Sequence, residues 1–226
     1  MTATAQSVAE PAVDVGKTGY NYYGQRIGSK GERTRKLLID ATVRLLASQG
    51  LREVSVVDVA RAANTSPATF YVYFRGVPEA VLAALENAAQ TSSELEALIG
   101  HDWLAPGAAA YARAVVETYT ELWNRNRTIF CVRNLAAEEG DDRFYQARAK
   151  ASGPVMQALV DQIVRAQAAG QTPVGLAPRA CAGVLLMMLE RLSSVGPITR
   201  KDGDLDYASL KAAAAHSLAD MLGARD

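Results

Sequence analysis

The residues best placed to do chemistry in this 226-residue chain are hydroxyls, rings and cations rather than acids, imidazoles or thiols. Ser66-Pro-Ala-Thr-Phe-Tyr-Val-Tyr-Phe74 holds four hydroxyls in nine positions, and Arg26, Lys30, Arg33, Arg35 and Lys36 lie upstream. Hydroxyls donate to phosphate oxygens, aromatic rings lie along sugars, and cations neutralise phosphates, so the chemistry on offer is recognition of a polyanion. Groups that make or break bonds are missing by pattern. His101 and His216 lack Glu-x-x-His or His-Glu-x-x-His spacing, no Gly-rich phosphate loop or nucleophile elbow occurs, and Glu138-Glu139 reads as a solvated helix end. Cys131 and Cys181 sit in apolar surroundings without a C-x-x-C or Cys/His cluster, which predicts two buried free thiols in a reducing cytoplasm. Neither a metal nor a cofactor is expected, and an all-α enzyme remains only a distant alternative.

The elements that must position those hydroxyls are helices. Ala, Leu, Glu, Arg and Gln dominate, strict alternation is scarce, and the domain should be all-α. Ser29-Lys-Gly-Glu32 reads as a capping box opening a helix whose stripe is Leu38, Ala41, Leu45 and Leu46, ending at Gly50. Ser55 opens the next helix, with Asp58 in the capping position and Val56, Val59, Ala60 and Ala63 inward, until Asn64-Thr65 breaks it. Ser66 caps a very short third helix with Pro67 at its first position, and Pro78 opens a fourth that runs into the nineties. Beyond Gly100 the periodicity predicts helices at 105–125, 127–138, 142–169, 177–195 and 204–222, with Pro154 kinking or dividing the third of these. The longest apolar run, Ala182 to Leu189, is too short to cross a bilayer.

Charge separates the chain into unlike parts. The totals are 24 Lys and Arg against 24 Asp and Glu, yet residues 26–75 hold nine basic and four acidic residues, a local +5. A basic stretch ahead of two short helices joined by a tight turn is the helix-turn-helix pattern, whose second helix enters the major groove.

The pattern is specific in residues 34–81, which resemble the N-terminal DNA-binding domain of the TetR family of bacterial transcriptional regulators. The likeness runs through Thr34, Leu38, Asp40-Ala41, Leu45-Leu46, Gly50-Leu51, Val54-Ser55-Val56, Val59-Ala60 and Ala63. It ends on Ser66 to Phe74, close to the family's Ser-x-Gly-Thr-Leu-Tyr-x-Tyr-Phe. Phe70 and Phe74, one turn apart, should plug the third helix into the first two. Ser66, Thr69, Tyr71 and Tyr73 should then face outward to phosphates, with Pro67 and Ala68 allowing close approach to base edges. Ser55, Arg75, Lys30 and Arg33 complete the expected DNA contacts. The sequence departs from the family at Asn64-Thr65 for Gly-Val, at Ala68 for Gly, and at Val77 where Lys is frequent, with Arg75 near enough to replace the lost cation. Val77 supports an alternative, a small-molecule-binding module that has lost specific DNA binding. Residues 1–28 are expected to be a disordered extension, although Gly19-Tyr-Asn-Tyr-Tyr-Gly-Gln-Arg26 has the composition of an arm that follows DNA.

The resemblance implies a helix-turn-helix domain at 29–76 and a helical ligand-binding and dimerisation domain at 77–226. Helix 177–195 is apolar nearly all round and the last helix has two apolar stripes, so one face can serve a symmetry mate. Leu185, Met188, Leu192, Leu205, Ala208, Ala212, Ala215, Ala219 and Leu222 are the candidate dimer contacts. Trp103, Tyr111, Tyr119, Trp123, Phe130, Phe144, Met156, Met187 and Met188 suit an apolar cavity, with Arg133, Asn134 and Glu117 as polar anchors. The function implied is that of a cytoplasmic repressor, released from a palindromic operator by a hydrophobic or amphipathic small molecule.

Overall fold

A computed structural model of the chain describes residues 19–89, 93–196 and 206–224. Its elements are α1 (Ser29–Leu46), α2 (Val56–Ala62), α3 (Pro67–Tyr73), α4 (Val77–Ala89), α5 (Ser93–Ile99), α6 (Ala109–Arg125), α7 (Arg127–Glu138), α8 (Asp142–Ala168), α9 (Pro178–Val195) and α10 (Tyr207–Met221). Among the described residues every element is a helix, with one isolated bridge between Tyr20 and Arg26. The chain divides into two compact units, Met1–Ala84 and Leu85–Asp226, so the division falls within α4.

The first unit is built on α1 to α3. Leu38, Ala41, Val59, Ala60, Phe70 and Phe74 are buried, and the two phenylalanine rings lie 5.5 Å apart. Ser55 caps α2 by accepting from the Asp58 N–H, and Ser66 caps α3 by accepting from the Thr69 N–H at 3.1 Å. At α1 the expected capping box does not form: the helix starts one residue earlier, on Gly28, without a side-chain cap. The α2–α3 turn follows from backbone bonding. The Thr65 N–H donates to the Ala60 carbonyl at 2.9 Å and the Asn64 N–H to the Arg61 carbonyl at 3.0 Å, with Asn64 left-handed at φ 53°. Asn adopts this conformation more readily than β-branched residues do. Asn64→Gly is therefore expected to leave the unit's stability unchanged or raised, while Asn64→Val lowers it by about 1–2 kcal/mol; urea unfolding followed by circular dichroism decides, and equal midpoints would refute this account.

The second unit holds its core between α5, α6, α8, α9 and α10, where Leu95, Trp103, Val115, Leu159, Leu189 and Leu218 are buried. α8 runs unbroken through Pro154 for 27 residues, with the Ser152 hydroxyl donating to the Arg148 carbonyl at 3.0 Å. The end of α10 is tied down by Gln162, whose amide donates to the Leu222 carbonyl at 3.2 Å, and by Thr172, whose hydroxyl donates to the Met221 carbonyl at 3.0 Å. Gly223 follows at φ 86°, where an added Cβ would lie 2.9 Å from the Ala166 methyl. Along the expected fourth helix the described residues form α4 and α5, with residues 90–92 outside the described residues, and α6 starts at Ala109 rather than 105. None of the described helices is long and apolar enough to cross a membrane. Cys181 is buried as expected, but Cys131 is exposed because it lies on the outer side of α7.

Candidate nucleic-acid interface and ligand cavity

The short helix α3 presents an exposed edge of Ser66, Pro67, Ala68 and Tyr71, with Thr69 half-buried between them. Tyr71 is 49% exposed. The Ser66 and Thr69 hydroxyls are 3.0 Å apart and hydrogen-bonded to each other, which leaves one of the two hydroxyl hydrogens for an outside acceptor. Ser55 is exposed, but its hydroxyl is already engaged twice, accepting from the Asp58 N–H and donating to the Asp58 carboxylate. Tyr73 departs from its expected outward position. It is only 8% exposed, and its hydroxyl lies 3.4 Å from where a Cβ on Gly31 would stand, so it is a packing residue against α1.

The cations sort in the same way. Arg35 is buried with its guanidinium 5.4 Å over the Phe74 ring, and Lys36 pairs with Asp40 at 2.7 Å. Arg75 lies 4.7 Å over the Tyr22 ring and hydrogen-bonds its hydroxyl, with the Glu79 carboxylate 3.9 Å away. Val77 is buried. Arg26, Lys30 and Arg33 stay exposed, with no carboxylate partner among the described residues. Residues 19–28, expected within a disordered extension, form a defined loop; residues 1–18 lie outside the described residues.

In the second unit a cavity of about 550 Å³ is lined by parts of α4 to α9. Of the residues expected to bind ligand, Tyr119, Trp123, Phe130, Arg133, Met156 and Met187 are in its lining. Its polar feature is a pair: Arg133 Nη2 lies 2.7 Å from Glu190 Oε1, and Asn134 braces both, accepting from Arg133 Nε at 2.9 Å and donating to Glu190 at 3.2 Å. The Arg133 guanidinium also stands 4.7 Å over the Phe130 ring. Burial lowers its pKa, against the opposing pull of Glu190, and the like charge of Arg148 adds to the lowering. Burial and then the Glu190 charge hold the Tyr119 phenol well above its ordinary range, so it stays protonated. Arg148 and Arg179 join the lining.

Other expected residues lie elsewhere. Trp103 is fully buried, its indole donating to the Ile99 carbonyl at 2.8 Å, and Phe144 is likewise a core residue. Tyr111 stacks on His101 at 4.5 Å, and Met188 packs against the core without reaching the cavity. Glu117 is on the surface, paired with Lys211 at 2.7 Å. Asn134 acts on the cavity only through its bonds to the pair.

The model for bacterial regulatory proteins of the tetR family matches residues 38–77, and that for the tetracyclin repressor-like C-terminal domain matches residues 95–218, more than half of the chain. The chain belongs to the TetR family. It is a ligand-responsive DNA-binding transcriptional regulator, and α3 stands at the position of the second helix of its helix-turn-helix. Solved structures share the fold of this TetR-family regulator at low identity. The fatty acid degradation regulator FadR from Bacillus halodurans superposes with a TM-score of 0.65 at 15% identity, covering 86% of this chain and 97% of its own. FadR from Bacillus subtilis, in complex with stearoyl-CoA, gives 0.61 at 17% identity over 83% and 97%. A tetR-family transcriptional regulator from Streptomyces coelicolor gives 0.60 at 16% identity over 86% and 82%. A comparison with curated proteins gave no match.

Several candidate dimer contacts of this TetR-family regulator are used internally. Leu185, Ala215, Ala219 and Leu222 are buried in the second unit's own core, because the stripe assigned outward is the one that meets α6 and α9. Met188 and Leu192 are half-buried against that core, Ala208 and Ala212 are exposed, and Leu205 lies outside the described residues. The carboxylate that organises the cavity, Glu190, escaped the sequence reading. Its signal was the one acid in a helix apolar nearly all round, which calls for a partner where that acid is buried.

Proposed function

We propose that this regulator is a cytoplasmic repressor that binds a palindromic operator as a homodimer and releases it when an amphipathic anion enters the cavity. The lining carries the effector class. Glu190 already engages Arg133, while Arg148 and Arg179 have no carboxylate partner among the described residues. They suit an anionic head, and Leu95, Trp123, Phe130 and Val155 suit an apolar chain. That a protein of the same fold holds stearoyl-CoA supports this reading.

The domain at 29–76 would read DNA, and the chain from 77 onward would sense ligand and dimerise. On α10 the exposed residues Ala208, Ala212, Ala213, His216 and Ser217 form a low face, and α9 adds Val184 and Arg191. A second copy covering these faces makes a four-helix interface and sets two recognition helices about 34 Å apart. Leu85 and Ala88 of α4 line the cavity, so an effector bears directly on the helix that leads back to the reading unit. Moving such an equilibrium from 1:99 to 99:1 takes about 5.5 kcal/mol of differential binding.

The test is to select duplexes from random-sequence DNA with the full chain, then titrate in stearoyl-CoA, dodecanoate and dodecanol. The two anionic probes are expected to release the duplex, and Arg148→Ala combined with Arg179→Ala to weaken that release about tenfold. Equal release by dodecanol, or none by any probe, would overturn the effector class; tightening on addition would make the ligand a corepressor.

A further inference from the structure

The loop before α1 is held in place rather than trailing. Asn21 closes it, its side-chain oxygen accepting from the Tyr23 and Gln25 N–H groups at 3.0 and 2.9 Å, and the Ile27 N–H donates to the Gly19 carbonyl at 2.9 Å. Two anchors fix the loop to the end of the recognition helix. The Tyr22 N–H donates to the Val72 carbonyl at 3.0 Å, which α3 leaves open by ending at Tyr73, and the Tyr22 ring and hydroxyl hold Arg75. A third contact fixes it to α1: a Cβ on Gly31 would stand 2.9 Å from that of Ile27, so the loop lies where only glycine leaves room.

This anchoring turns one set of side chains inward and leaves another out. Tyr22 is half-buried while its neighbour Tyr23 is 66% exposed, with Gln25 and Arg26 exposed beside it. Along Arg26, Lys30, Glu32 and Arg33 the balance is three cations to one carboxylate, and the loop that leads into this stretch meets the end of α3 through the contacts of Tyr22 with Val72 and Arg75.

We propose that residues 19–28 are a second DNA-contacting element of this regulator, clamped to the recognition helix by Tyr22 and Arg75 so that Tyr23 and Arg26 meet the operator's phosphate backbone. Arg75, a candidate phosphate contact in its own right, thereby acts as the clamp's cation. Pre-ordering the loop removes the conformational entropy that a free arm would lose on binding. The proposal rests on α3 reading DNA.

The experiment measures binding of the full chain to a duplex it selects from random sequence, by fluorescence anisotropy across a salt series. Arg26→Ala and Tyr23→Ala replace exposed side chains and are expected to leave the thermal unfolding midpoint in place while weakening binding about tenfold each. Arg26→Ala should also reduce the slope of log affinity against log salt by about one. Tyr22→Ala, which frees the loop and Arg75 while removing no cation, should weaken binding at an unchanged salt slope, and Tyr71→Ala is the reference for loss of recognition-helix contact. If Tyr23→Ala with Arg26→Ala binds as the unmodified chain does, at the same salt slope, the proposal falls while operator reading stands. If the unmodified chain selects no duplex, both fall.

Discussion

Replacing Glu190 with Ala lowers the stability of the second unit by about 3 kcal/mol. The magnitude follows from what the substitution leaves behind. The Arg133 side chain is 7% exposed and Glu190 22%, so removing the carboxylate strands a guanidinium among Phe130, Trp123 and Tyr119. Asn134 retains one bond to it and Phe130 retains its cation–π contact, which places the loss at the low end of the range for breaking a buried pair. Removing both charges is a different experiment. Arg133→Met with Glu190→Leu is expected to recover most of the loss, because two desolvation penalties vanish with the attraction they offset. Both tryptophans of the chain, Trp103 and Trp123, lie in the second unit, so tryptophan fluorescence during urea unfolding reads this unit selectively. Equal midpoints for the single variant and the unmodified chain would show that water or another group takes over the carboxylate's role.

Phe74→Ala is expected to destabilise the first unit by about 3–5 kcal/mol. The Phe74 ring is fully buried, touches Phe70, and carries the buried Arg35 guanidinium on its face, so truncation opens a cavity and uncovers a cation together. A unit of this size has little stability to spare. Recognition-helix placement should go with it, and operator binding should be lost. Since neither tryptophan is in this unit, a loss of helical circular dichroism with unchanged fluorescence is the expected signature. If both signals keep their original midpoints, Phe74 is not the anchor; if both shift together, the two units unfold as one.

Much of this was legible in the residues because it depends on near neighbours. Ser55 with Asp58 and Ser66 with Thr69 are bonds three residues apart, Asn64 governs its own φ, and the spacing of Phe70 and Phe74 places both on one side of a helix. Tyr73 misled for a related reason. Helical spacing says which side a residue occupies, but not that α1 crosses there with a glycine, and that crossing buried the ring. Arg35 is the same case among the cations, read as surface charge and found over Phe74.

The second unit was less legible, since a helix that is apolar all round does not say which neighbour covers which side. Trp103 and Trp123 are alike in type, yet Trp103, in the turn between α5 and α6, fills the core while Trp123, on α6, lines the cavity. Ala215 and Ala219 went to the chain's own core by the same ambiguity.

The hydroxyls, rings and cations of the helix-turn-helix end divide in the same way. Sequence by itself determined that the chain is helical, that it carries a helix-turn-helix, and that its balanced charge hides a basic reading end, because propensity, capping and turn chemistry act within a few residues. Only the tertiary structure decided which of those groups remain free to meet DNA, that Tyr22 and Arg75 join the loop to the recognition helix, and that Arg133 finds Glu190 across 57 residues of chain. Those outcomes depend on distances between elements, and packing sets them.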